Sequence, residues 1–304
     1  MMSKQDQTYH VPVLLKETVD GLNIKPEGVY VDVTYGGGGH SREILSRLGP
    51  EGKLYSFDQD EEAHKNKIDD ERLTLIEGNF ANIKNYLRLE GVKQVDGILA
   101  DLGISSHQIN KPERGFSTRY DEKLDMRMDK NAGFSAYDVI NTYSERQLRN
   151  IFSQYGDLRN AGTLARSIVK AREDHPIETT GELIEIVSKH FPKLKLNKFL
   201  AKLFQAIRIE VNGEMDALKK LLQQSAELIK PGGRLSVISY HSLEDRLVKR
   251  FIRDGMFEGQ PEKDIYGNVD VPFKKVGKLI VPTKEEIERN PRARSAKLRI
   301  GEKL

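Results

Sequence analysis

The chain has 304 residues, of which 38% are hydrophobic and 31% charged, and its 49 basic and 46 acidic side chains leave a net charge of +3. This length and composition support a buried core in one large or two smaller domains, and they exclude a wholly disordered chain. The chain has no cysteine, and its seven histidines include no close pair at metal-ligand spacing, so disulfide scaffolds, thiolate nucleophiles and a metal site are not expected.

No segment of the sequence has the pattern of a secretion or membrane signal. The first ten residues lack the apolar stretch of a signal peptide, and no run approaches the roughly 18 to 20 apolar residues of a membrane span. We therefore expect a cytoplasmic protein without a membrane partner. Residues 272–304 contain ten basic and four acidic side chains, a bias that is compatible with a nucleic-acid partner but does not establish one.

Short apolar runs and helical patterns alternate between residues 29 and 101. The predicted strands are 29–33, 53–57, 73–77 and 96–101, and helical patterns cover 41–48 and 80–90. This alternation predicts a parallel sheet. Right-handed crossovers place the carboxyl ends of such strands along one edge, where open α/β sheets bind their ligands.

The strand pattern stops after residue 103, and residues 104–208 contain helical patterns and polar loops, which predicts an inserted helical unit. The sheet pattern then returns as a helix over 214–229, a turn over 231–233, and strands over 234–239, 278–282 and 296–300. We expect the last two strands to form an antiparallel pair at one edge of the sheet.

Residues 32–40, DVTYGGGGH, lie between the first strand and a helix, so backbone N–H groups there can face a ligand without an intervening Cβ. The dinucleotide fingerprint G-x-G-x-x-G would need glycine at position 41, where Ser41 stands. Asp58 follows Gly38 by 20 residues and ends the second strand, where a carboxylate can accept both hydroxyl protons of a ribose. Phe80 ends the third strand and either lies against an adenine ring or belongs to the core.

Together with KPGGRL at 230–235, these signals resemble the class I methyltransferases that use S-adenosylmethionine. A glycine turn without a P-loop lysine suits a nucleoside with an amino-acid moiety better than a triphosphate. The fourth strand ends in Asp101, beside the expected position of the methyl group. Asp101 could accept a proton from the amino group of a base, whose delocalised lone pair makes it a poor nucleophile, or could serve only to bind the cofactor.

Further motifs extend the similarity over almost the whole chain. They are HVPVLL (10–15), DVTYGGGGHS (32–41), DLGISS (101–106), ERGFS (113–117), LDMRMD (124–129), FQAIRIEVN (204–212), SYHSLEDR (239–246) and RARSAKLR (292–299). This set closely resembles the bacterial small-subunit rRNA cytosine-N4 methyltransferase family, called RsmH or MraW. The resemblance implies a Rossmann-like, doubly wound, mostly parallel α/β sheet. It also implies a methyltransferase domain over 1–105 and 209–304, interrupted by a helical substrate domain over 106–208.

The family implies methyl transfer from S-adenosylmethionine to N4 of one cytidine in the decoding centre of 16S rRNA, with the small ribosomal subunit as partner. The cytidine must be extruded or single-stranded, because a paired N4 is buried in base pairing. The sequence leaves open whether the chain forms a homodimer. Carried over by motif, the cofactor contacts fall on Gly38, Gly39, His40, Asp58, Phe80, Asp101 and Gln108, and the glycine pattern adds Gly36.

The chain departs from the family in two places. The family commonly has S-S-P-Q where this chain has Ser105, Ser106, His107 and Gln108, which changes the loop that orients Gln108 because proline fixes φ and histidine does not. It often has histidine and proline before FQA, where this chain has residues 197–202. Neither departure affects the glycine turn or the acid at the end of the second strand.

Candidate RNA contacts concentrate in residues 189–202, which carry five lysines and no acid, with Phe191 and Phe199 interleaved. A solvated helix face is the alternative interpretation. The residues expected to contact phosphates, and so to position RNA without reading its sequence, are Lys193, Lys195, Lys198, Lys202 and Arg208.

Asp101, Ser105 and His241 are candidate catalytic residues because they follow strands at the predicted ligand edge. For His241 a structural hydrogen bond is the alternative, and Ser242 is the expected N-cap of the next helix. The remaining candidates are aromatic side chains for base stacking and charged residues for ion pairs within LDMRMD: Phe116, Tyr240, Asp125, Arg127 and Asp129.

Three other functions remain open at this point. A methyltransferase acting on a small molecule or a protein is disfavoured by the large basic insertion. A ribosome-assembly factor that binds rRNA without turnover would be indicated by an eroded glycine turn or a missing Asp58, and neither is observed. A nicotinamide oxidoreductase is the weakest alternative because Ser41 breaks the dinucleotide fingerprint.

Overall fold

A computed structural model describes residues 12–262, 265–266 and 269–304. The first two residues of the HVPVLL motif lie outside these ranges. The chain divides into two compact units, one comprising Met1–Gly103 and Met215–Leu304 and the other Ile104–Glu214. We refer to them as the sheet unit and the helical unit. Among the described residues, no helix is long and apolar enough to cross a membrane.

The sheet unit contains one seven-stranded sheet. Its strands are β1 (Val29–Asp32), β2 (Lys53–Asp58), β3 (Leu73–Glu77), β4 (Val95–Asp101), β5 (Ile229–Ser239), β6 (Phe273–Ile280) and β7 (Lys297–Lys303). They are ordered β3-β2-β1-β4-β5-β7-β6, with β7 antiparallel to both of its neighbours and the other pairs parallel. This confirms the doubly wound, mostly parallel α/β sheet and the antiparallel edge pair expected from the sequence. The chain order reverses between β1 and β4, the switch point at which such sheets bind ligands.

The helices follow in chain order and are numbered through both units. They are α1 (Leu15–Gly21), α2 (Gly39–Arg47), α3 (Glu61–His64), α4 (Ile83–Leu89), α5 (Ser106–Asn110), α6 (Ala136–Thr142), α7 (Glu145–Gln154), α8 (Ala161–Ala171), α9 (Thr180–Ser188), α10 (Leu196–Asn212), α11 (Glu214–Leu228), α12 (Ser242–Asp254) and α13 (Lys284–Arg289).

The core of the sheet unit lies on both faces of the sheet, because the central strands are apolar throughout. In β4, Ile98 and Ala100 face one cluster, which also contains Leu221 of α11, whereas Leu99 faces a second cluster with Ile44 of α2. All five side chains are fully buried. This is the two-residue period of a strand covered on both sides, and it fixes which polar residues emerge at the strand ends.

The helical unit has its own hydrophobic core, formed by residues of α6 to α10 and the loop before them. Capping boxes begin α6, α7 and α9 at Ser135, Ser144 and Thr179, so local sequence sets these helix starts. The unit extends beyond the boundary expected at residue 208, because α10 continues unbroken to Asn212. Helix α10 ends where Gly213 adopts a left-handed conformation, with φ of 58°.

The expected turn over 231–233 is instead a bulge inside β5. Val95 of β4 pairs with Ile229, and the next pair joins Gly97 to Arg234, so five residue steps of β5 lie opposite two steps of β4. Gly232 accommodates the bulge with φ of 77°. The bulge lies at the amino-terminal edge of the sheet, away from the strand ends that carry the candidate site.

Candidate active site

The glycine turn follows β1 and opens α2. Gly38 is the N-cap of α2 and has φ of 74°, a conformation that glycine adopts without strain. A Cβ on Gly38 would lie 2.8 Å from the Tyr35 hydroxyl, and one on Gly39 would lie 2.1 Å from Cγ of Pro12. The turn therefore requires glycine both for its backbone conformation and for the closeness of its neighbours.

The amino terminus of α2 has no side-chain cap among the described residues. By contrast, α3 begins with Asp60, which accepts a hydrogen bond from the Glu62 amide, and α13 begins with Thr283, which accepts one from the Glu286 amide. First-turn N–H groups of a helix need an acceptor and favour a negative charge. The uncapped start of α2 therefore suits the carboxylate of a bound amino-acid moiety.

Asp32, the last residue of β1, stabilises the glycine turn through buried hydrogen bonds. It is fully buried, and its carboxylate accepts hydrogen bonds from the Thr34 amide at 3.0 Å and from the Ser41 hydroxyl at 2.7 Å. Burial raises the pKa of Asp32, opposed by the charge of His40 and by these hydrogen bonds. Asp32 thus holds the two sides of the glycine turn together and is not open to a ligand.

Asp58 joins the end of β2 to the glycine turn. Its Oδ2 accepts a hydrogen bond from the Gly36 amide at 2.8 Å, and its Oδ1 accepts one from the Asp60 amide at 2.9 Å. Burial raises the pKa of Asp58 to about 6, against the lowering effect of the two amides. Each carboxylate oxygen has a further lone pair, so Asp58 can still accept hydroxyl protons from a ribose.

Phe80 begins a short 3-10 turn after β3 and is partly buried against the sheet core. The residue before it, Asn79, accepts a hydrogen bond from the Ala81 amide and donates one to Gln59 at 2.9 Å. Gln59 directly follows Asp58, so the ends of β2 and β3 are tied together. Phe80 therefore packs partly in the core and follows a strand end that is tied to the one carrying Asp58, the predicted ribose-binding residue. Contact between its ring and adenine stays a prediction.

Asp101 ends β4 and is held by three neighbours. The Tyr240 hydroxyl donates a hydrogen bond to Oδ1 at 2.8 Å, and the Asp101 amide donates one to the Thr34 hydroxyl at 2.7 Å. His40 Nδ1 lies 3.8 Å from Oδ2. The carboxyl side chain is 16% exposed, so one oxygen is fixed while the group remains accessible.

Burial raises the pKa of Asp101 to about 6, partly offset by the positive charge of His40 and by the Tyr240 hydrogen bond, while the charges of Asp32 and Glu244 add to the increase. The pKa of Tyr240 is also raised, by burial and by the charge of Asp101, so its hydroxyl keeps its proton and acts as a donor. Asp101 therefore holds its proton more tightly than an exposed carboxyl does and is ionised above about pH 6.

His40 connects Asp101 to the amino-terminal segment. Its Nε2 lies 3.2 Å from the Val13 carbonyl oxygen, and because a carbonyl can only accept, Nε2 carries a proton. The next residue, Leu14, donates its amide to Glu286 of α13 at 2.7 Å.

His241 is the N-cap of α12 rather than the expected Ser242, which is the first helical residue. Nδ1 of His241 accepts the Glu244 amide at 3.4 Å, and Glu244 Oε2 accepts the amides of Tyr240 and His241. The structure thus gives His241 and Glu244 a capping function that fixes the chain beside Tyr240. A catalytic role for His241 stays untested.

Two other predicted site residues lie in the helical unit. The Gln108 amide donates to the Ser105 hydroxyl at 3.2 Å, and the Ser105 amide donates to Gln108 Oε1 at 3.0 Å. This reciprocal pair caps the start of α5. Both polar groups thus have a structural use, and catalysis by Ser105 and cofactor contact by Gln108 remain predictions.

The predicted RNA-binding residues separate into two groups. Lys202 pairs with Asp157 at 2.8 Å, and Arg208, 13% exposed, forms a two-point ion pair with Glu214. Three lysines instead remain exposed or partly exposed without an ion pair to any described residue: Lys193, Lys195 and Lys198. These three suit phosphate contacts better than the two that are already paired.

The aromatic candidates in the helical unit belong to its core. Phe116 and Phe191 are each 8% exposed, and Phe191 stacks on Phe199 with ring centres 4.6 Å apart. They are therefore poorly placed for stacking on a base. In the LDMRMD loop Arg127 binds Asp125 through two hydrogen bonds of 2.9 and 2.6 Å, which confirms the expected ion pair.

Sequence reasoning missed the direct bond between Tyr240 and Asp101. The sequence predicts Tyr240 as a stacking residue, although its place as the first residue after β5 indicates that it shares an edge with the end of β4. Thr34, whose hydroxyl accepts a hydrogen bond from the Asp101 amide, is not among the predicted site residues. Its place two residues after Asp32 is the available signal, since a short side chain there can bridge adjacent strand ends.

The chemistry of four features at the ligand edge suits S-adenosylmethionine: the uncapped α2 terminus, Asp58, Phe80 and Asp101. The α2 terminus has N–H groups without a side-chain cap, and Asp58 has carboxylate oxygens with further lone pairs. Phe80 has a partly buried apolar ring, and Asp101 has an accessible carboxylate at the switch point between β1 and β4. Their contacts with the carboxylate, ribose, adenine and methyl group of the cofactor stay predictions. No lysine or arginine is paired with Asp58 in the described part of the chain, which leaves its oxygens for hydroxyl donors.

Comparison with known proteins supports this assignment. The MraW methylase family matches residues 7–304. A protein of Flavobacterium johnsoniae named Ribosomal RNA small subunit methyltransferase H is 65% identical over 296 residues, which cover 97% of this chain and 98% of the relative. A protein of the same name from Bacteroides thetaiotaomicron is 57% identical over 303 residues, covering 99% and 100%.

Among solved structures, an rRNA methylase from Streptococcus thermophilus aligns over 97% of this chain and 99% of its own, with 15% identity and a TM-score of 0.40. The fold assignment rests on the strand order rather than on this weak similarity. On the family match and the extended sequence identity, the chain belongs to the MraW methylase family, and it is a methyltransferase whose cofactor is S-adenosylmethionine.

Proposed function

We propose that this chain methylates N4 of one cytidine in the decoding centre of 16S rRNA, in the cytoplasm and on the assembled small subunit. The single observation that carries the proposal is the oriented carboxylate of Asp101, at the end of β4 beside the glycine turn. The relatives named Ribosomal RNA small subunit methyltransferase H support the choice of RNA as substrate.

The chemistry of a cytosine amino group explains why such a carboxylate is needed. Its lone pair is delocalised into the ring, so the nitrogen becomes nucleophilic only as its N–H bond is weakened by an acceptor. Tyr240 holds Oδ1 of Asp101. Oδ2 lies 3.8 Å from His40 Nδ1, beyond hydrogen-bond distance, and keeps lone pairs that can accept the proton from N4. When bound, S-adenosylmethionine supplies the methyl group as an electrophilic carbon. A positioned acceptor of this kind typically contributes about 10²- to 10⁴-fold in rate.

Neighbouring hydrogen bonds hold the backbone of the acceptor in place. The Asp101 amide is fixed to Thr34, which is itself tied to Asp32. Because both contacts come from the segment that follows β1, the acceptor and the glycine turn form one rigid hydrogen-bonded unit. Fixed proximity of acceptor and nucleophile then lowers the entropic part of the barrier.

We propose further that the helical unit binds the RNA. Lys193, Lys195 and Lys198 form a basic segment at the start of α10, without ion pairs to described residues. Lysines on such a segment contact phosphates independently of sequence. The target base would then be selected by its extrusion and by its fit at Asp101, because a paired N4 is inaccessible.

The deciding experiment is methyl transfer from labelled S-adenosylmethionine to unmodified small subunits and, separately, to naked rRNA, followed by nucleoside mass spectrometry. We expect N4-methylcytidine at a single position, with faster transfer to assembled subunits. A different methylated nucleoside would contradict the proposed target. Cofactor binding without any transfer would instead support a function in ribosome assembly.

A further inference from the structure

We propose that residues 289–294, which we name the arginine turn, bind the phosphates of the RNA strand that flanks the target nucleotide. The inference rests on the proposed function and adds a contact surface in the sheet unit, separate from the lysines of the helical unit. Its residues are Arg289 at the end of α13 and Arg292 and Arg294 in the following 3-10 turn, Pro291–Ser295. All three arginines are exposed.

The strand directions place the arginine turn at the edge of the sheet that carries Asp101. Both β5 and β6 are antiparallel to β7, so they run parallel to each other and end at the same edge as β4. The connection from β6 to β7 therefore crosses this edge. Lys297, the first residue of β7, pairs with Ser239, the last of β5.

The pairing also limits the distance to the reacting group. Arg294 precedes Lys297 by three residues, and Tyr240 directly follows Ser239. Three extended residues span roughly 10 Å and paired strands lie roughly 5 Å apart, so Arg294 lies within about 20 Å of the Tyr240 backbone. Ala293 and Ala296, on either side of Arg294, pack in one cluster with Tyr240.

The arginine turn is a firmly held structure. Ala293 is fully buried and Ala296 is 2% exposed, while Asn290 accepts the Arg292 amide at 3.2 Å. Buried alanines therefore alternate with exposed arginines. A fixed backbone lowers the entropy lost when a guanidinium group binds a phosphate.

Charge along this segment is strongly one-sided. Residues 289–299 contain five basic side chains and no acid. The two inner ones, Lys297 and Arg299, both bind Asp245. Arg289 and Arg294 are exposed and form no ion pair with any described residue. Their guanidinium groups can therefore bind a phosphate, although three glutamates of α13 precede them in the chain: Glu285, Glu286 and Glu288.

The lysines of β6 have a simpler explanation, which does not extend to the arginine turn. Lys274, Lys275 and Lys278 lie on an edge strand, where lysine prevents pairing with other chains. Arg289 lies in the last turn of a helix, where a cation also interacts favourably with the helix dipole. Arg294 has neither function, and a planar guanidinium is the group best suited to two-point phosphate binding.

The test compares the double variant Arg289→Ala/Arg294→Ala with Arg88→Ala. Arg88 is also an exposed arginine, in the last turn of α4. It precedes the start of β4 by seven residues, so it lies toward the opposite edge of the sheet. Affinity for small subunits, or for an rRNA fragment with the target cytidine, is measured over a range of salt concentrations. The Kd for S-adenosylmethionine and the kinetic constants are measured in parallel.

Removing one phosphate interaction with a single strand reduces the slope of log K against log salt by about 0.7, so the slope should fall by about 1.4 in the double variant. We expect KM for RNA to rise roughly 10-fold at low salt, with kcat at saturating RNA and the cofactor Kd within about twofold of wild type. Arg294→Lys should retain the charge without two-point binding, and should fall between wild type and Arg294→Ala.

The measurements distinguish failure of the arginine turn as an RNA contact from failure of the proposed function. Normal wild-type methylation, together with a double variant whose salt slope and KM equal those of Arg88→Ala, overturns the arginine turn as an RNA contact. Absence of rRNA methylation by the wild type overturns the proposed function and this inference with it. A lower slope that is confined to the double variant supports both.

Discussion

Two ion pairs of the helical unit contrast with two carboxylates at the ligand edge of the sheet unit. In the helical unit, Arg127 is paired with Asp125 and Arg208 with Glu214, so opposite charges neutralise each other. At the edge of the sheet unit, Asp58 and Asp101 are largely surrounded by protein, and within the described ranges neither is paired with a lysine or arginine.

This is the difference expected between structural charges and the proposed functional ones. A paired carboxylate keeps a low pKa and stabilises its loop, as the pKa of Asp125, shifted down by Arg127 against the effect of burial, illustrates. Asp58 and Asp101 form no ion pair with a described lysine or arginine, and burial raises the pKa of both against the lowering effect of a nearby histidine. Such carboxylates retain lone pairs for a ligand or for a proton in transit. The folded chain pays for the second arrangement in stability, which makes the comparison measurable.

The largest expected effect is that of Asp101→Asn. The amide accepts the Tyr240 hydrogen bond but cannot take up a proton from N4, so kcat should fall by about 10²- to 10⁴-fold. RNA affinity should change little. Single-turnover methylation at saturating cofactor and subunit measures the effect, and wild-type turnover in this variant would rule out Asp101 as the acceptor.

Asp101→Asn also tests how much the buried, ionised Asp101 carboxylate destabilises the folded state. A pKa raised to about 6 means that ionised Asp101 destabilises the folded state, and this cost appears as the pH rises through 6 and is absent below the unfolded pKa near 4. Asp101→Asn should therefore gain about 1 to 3 kcal/mol in unfolding free energy at pH 7.5 and none at pH 4. Asp125→Asn, which breaks an ion pair, should lose stability at pH 7.5, and a loss in both variants would contradict the distinction.

The next effect in size is that of Asp58→Ala on cofactor binding. Loss of the hydroxyl acceptor and of the bond to the Gly36 amide should weaken S-adenosylmethionine binding by about 10- to 100-fold. Isothermal titration measures the Kd. Asp70→Ala, which removes a carboxylate bound to Arg72 before β3, is the matched control, and equal losses in both variants would argue against ribose binding by Asp58.

Gly38→Ala should have a smaller effect that combines two causes. The residue has φ of 74° and its Cβ would collide with Tyr35, whereas Gly91 has φ of 75° with nothing within 4 Å of a Cβ. Both alanine variants carry a conformational cost of about 1 kcal/mol, and only Gly38→Ala adds the collision and weaker cofactor binding. Thermal unfolding of the two variants separates the contributions, and equal loss of stability would show that Tyr35 moves freely.

The sheet and the polar residues at its ligand edge could be predicted from the sequence because the strand topology determines them. Parallel strands end at one edge, so Asp58 and Asp101 had to lie near the glycine turn once the strands were recognised. The side-chain partners within the helical unit could not be predicted in this way. Nothing local indicates that Lys202 meets Asp157, 45 residues away in the chain, or that Phe191 stacks on Phe199 instead of on a base.

The smallest expected effect is a shift in pH dependence. Asp101 must be ionised to accept a proton, so kcat should fall as the pH decreases through about 6. Tyr240→Phe removes the hydroxyl that stabilises the ionised carboxylate, so this acidic limb should move to higher pH by about half a unit to one unit. Tyr55→Phe is the control, because Tyr55 lies in β2 and packs in the sheet core.

If Tyr240 only packs against its neighbours, Tyr240→Phe will leave the acidic limb of the pH profile where it is. If its hydroxyl orients Asp101, the limb will shift while the affinity for S-adenosylmethionine stays the same.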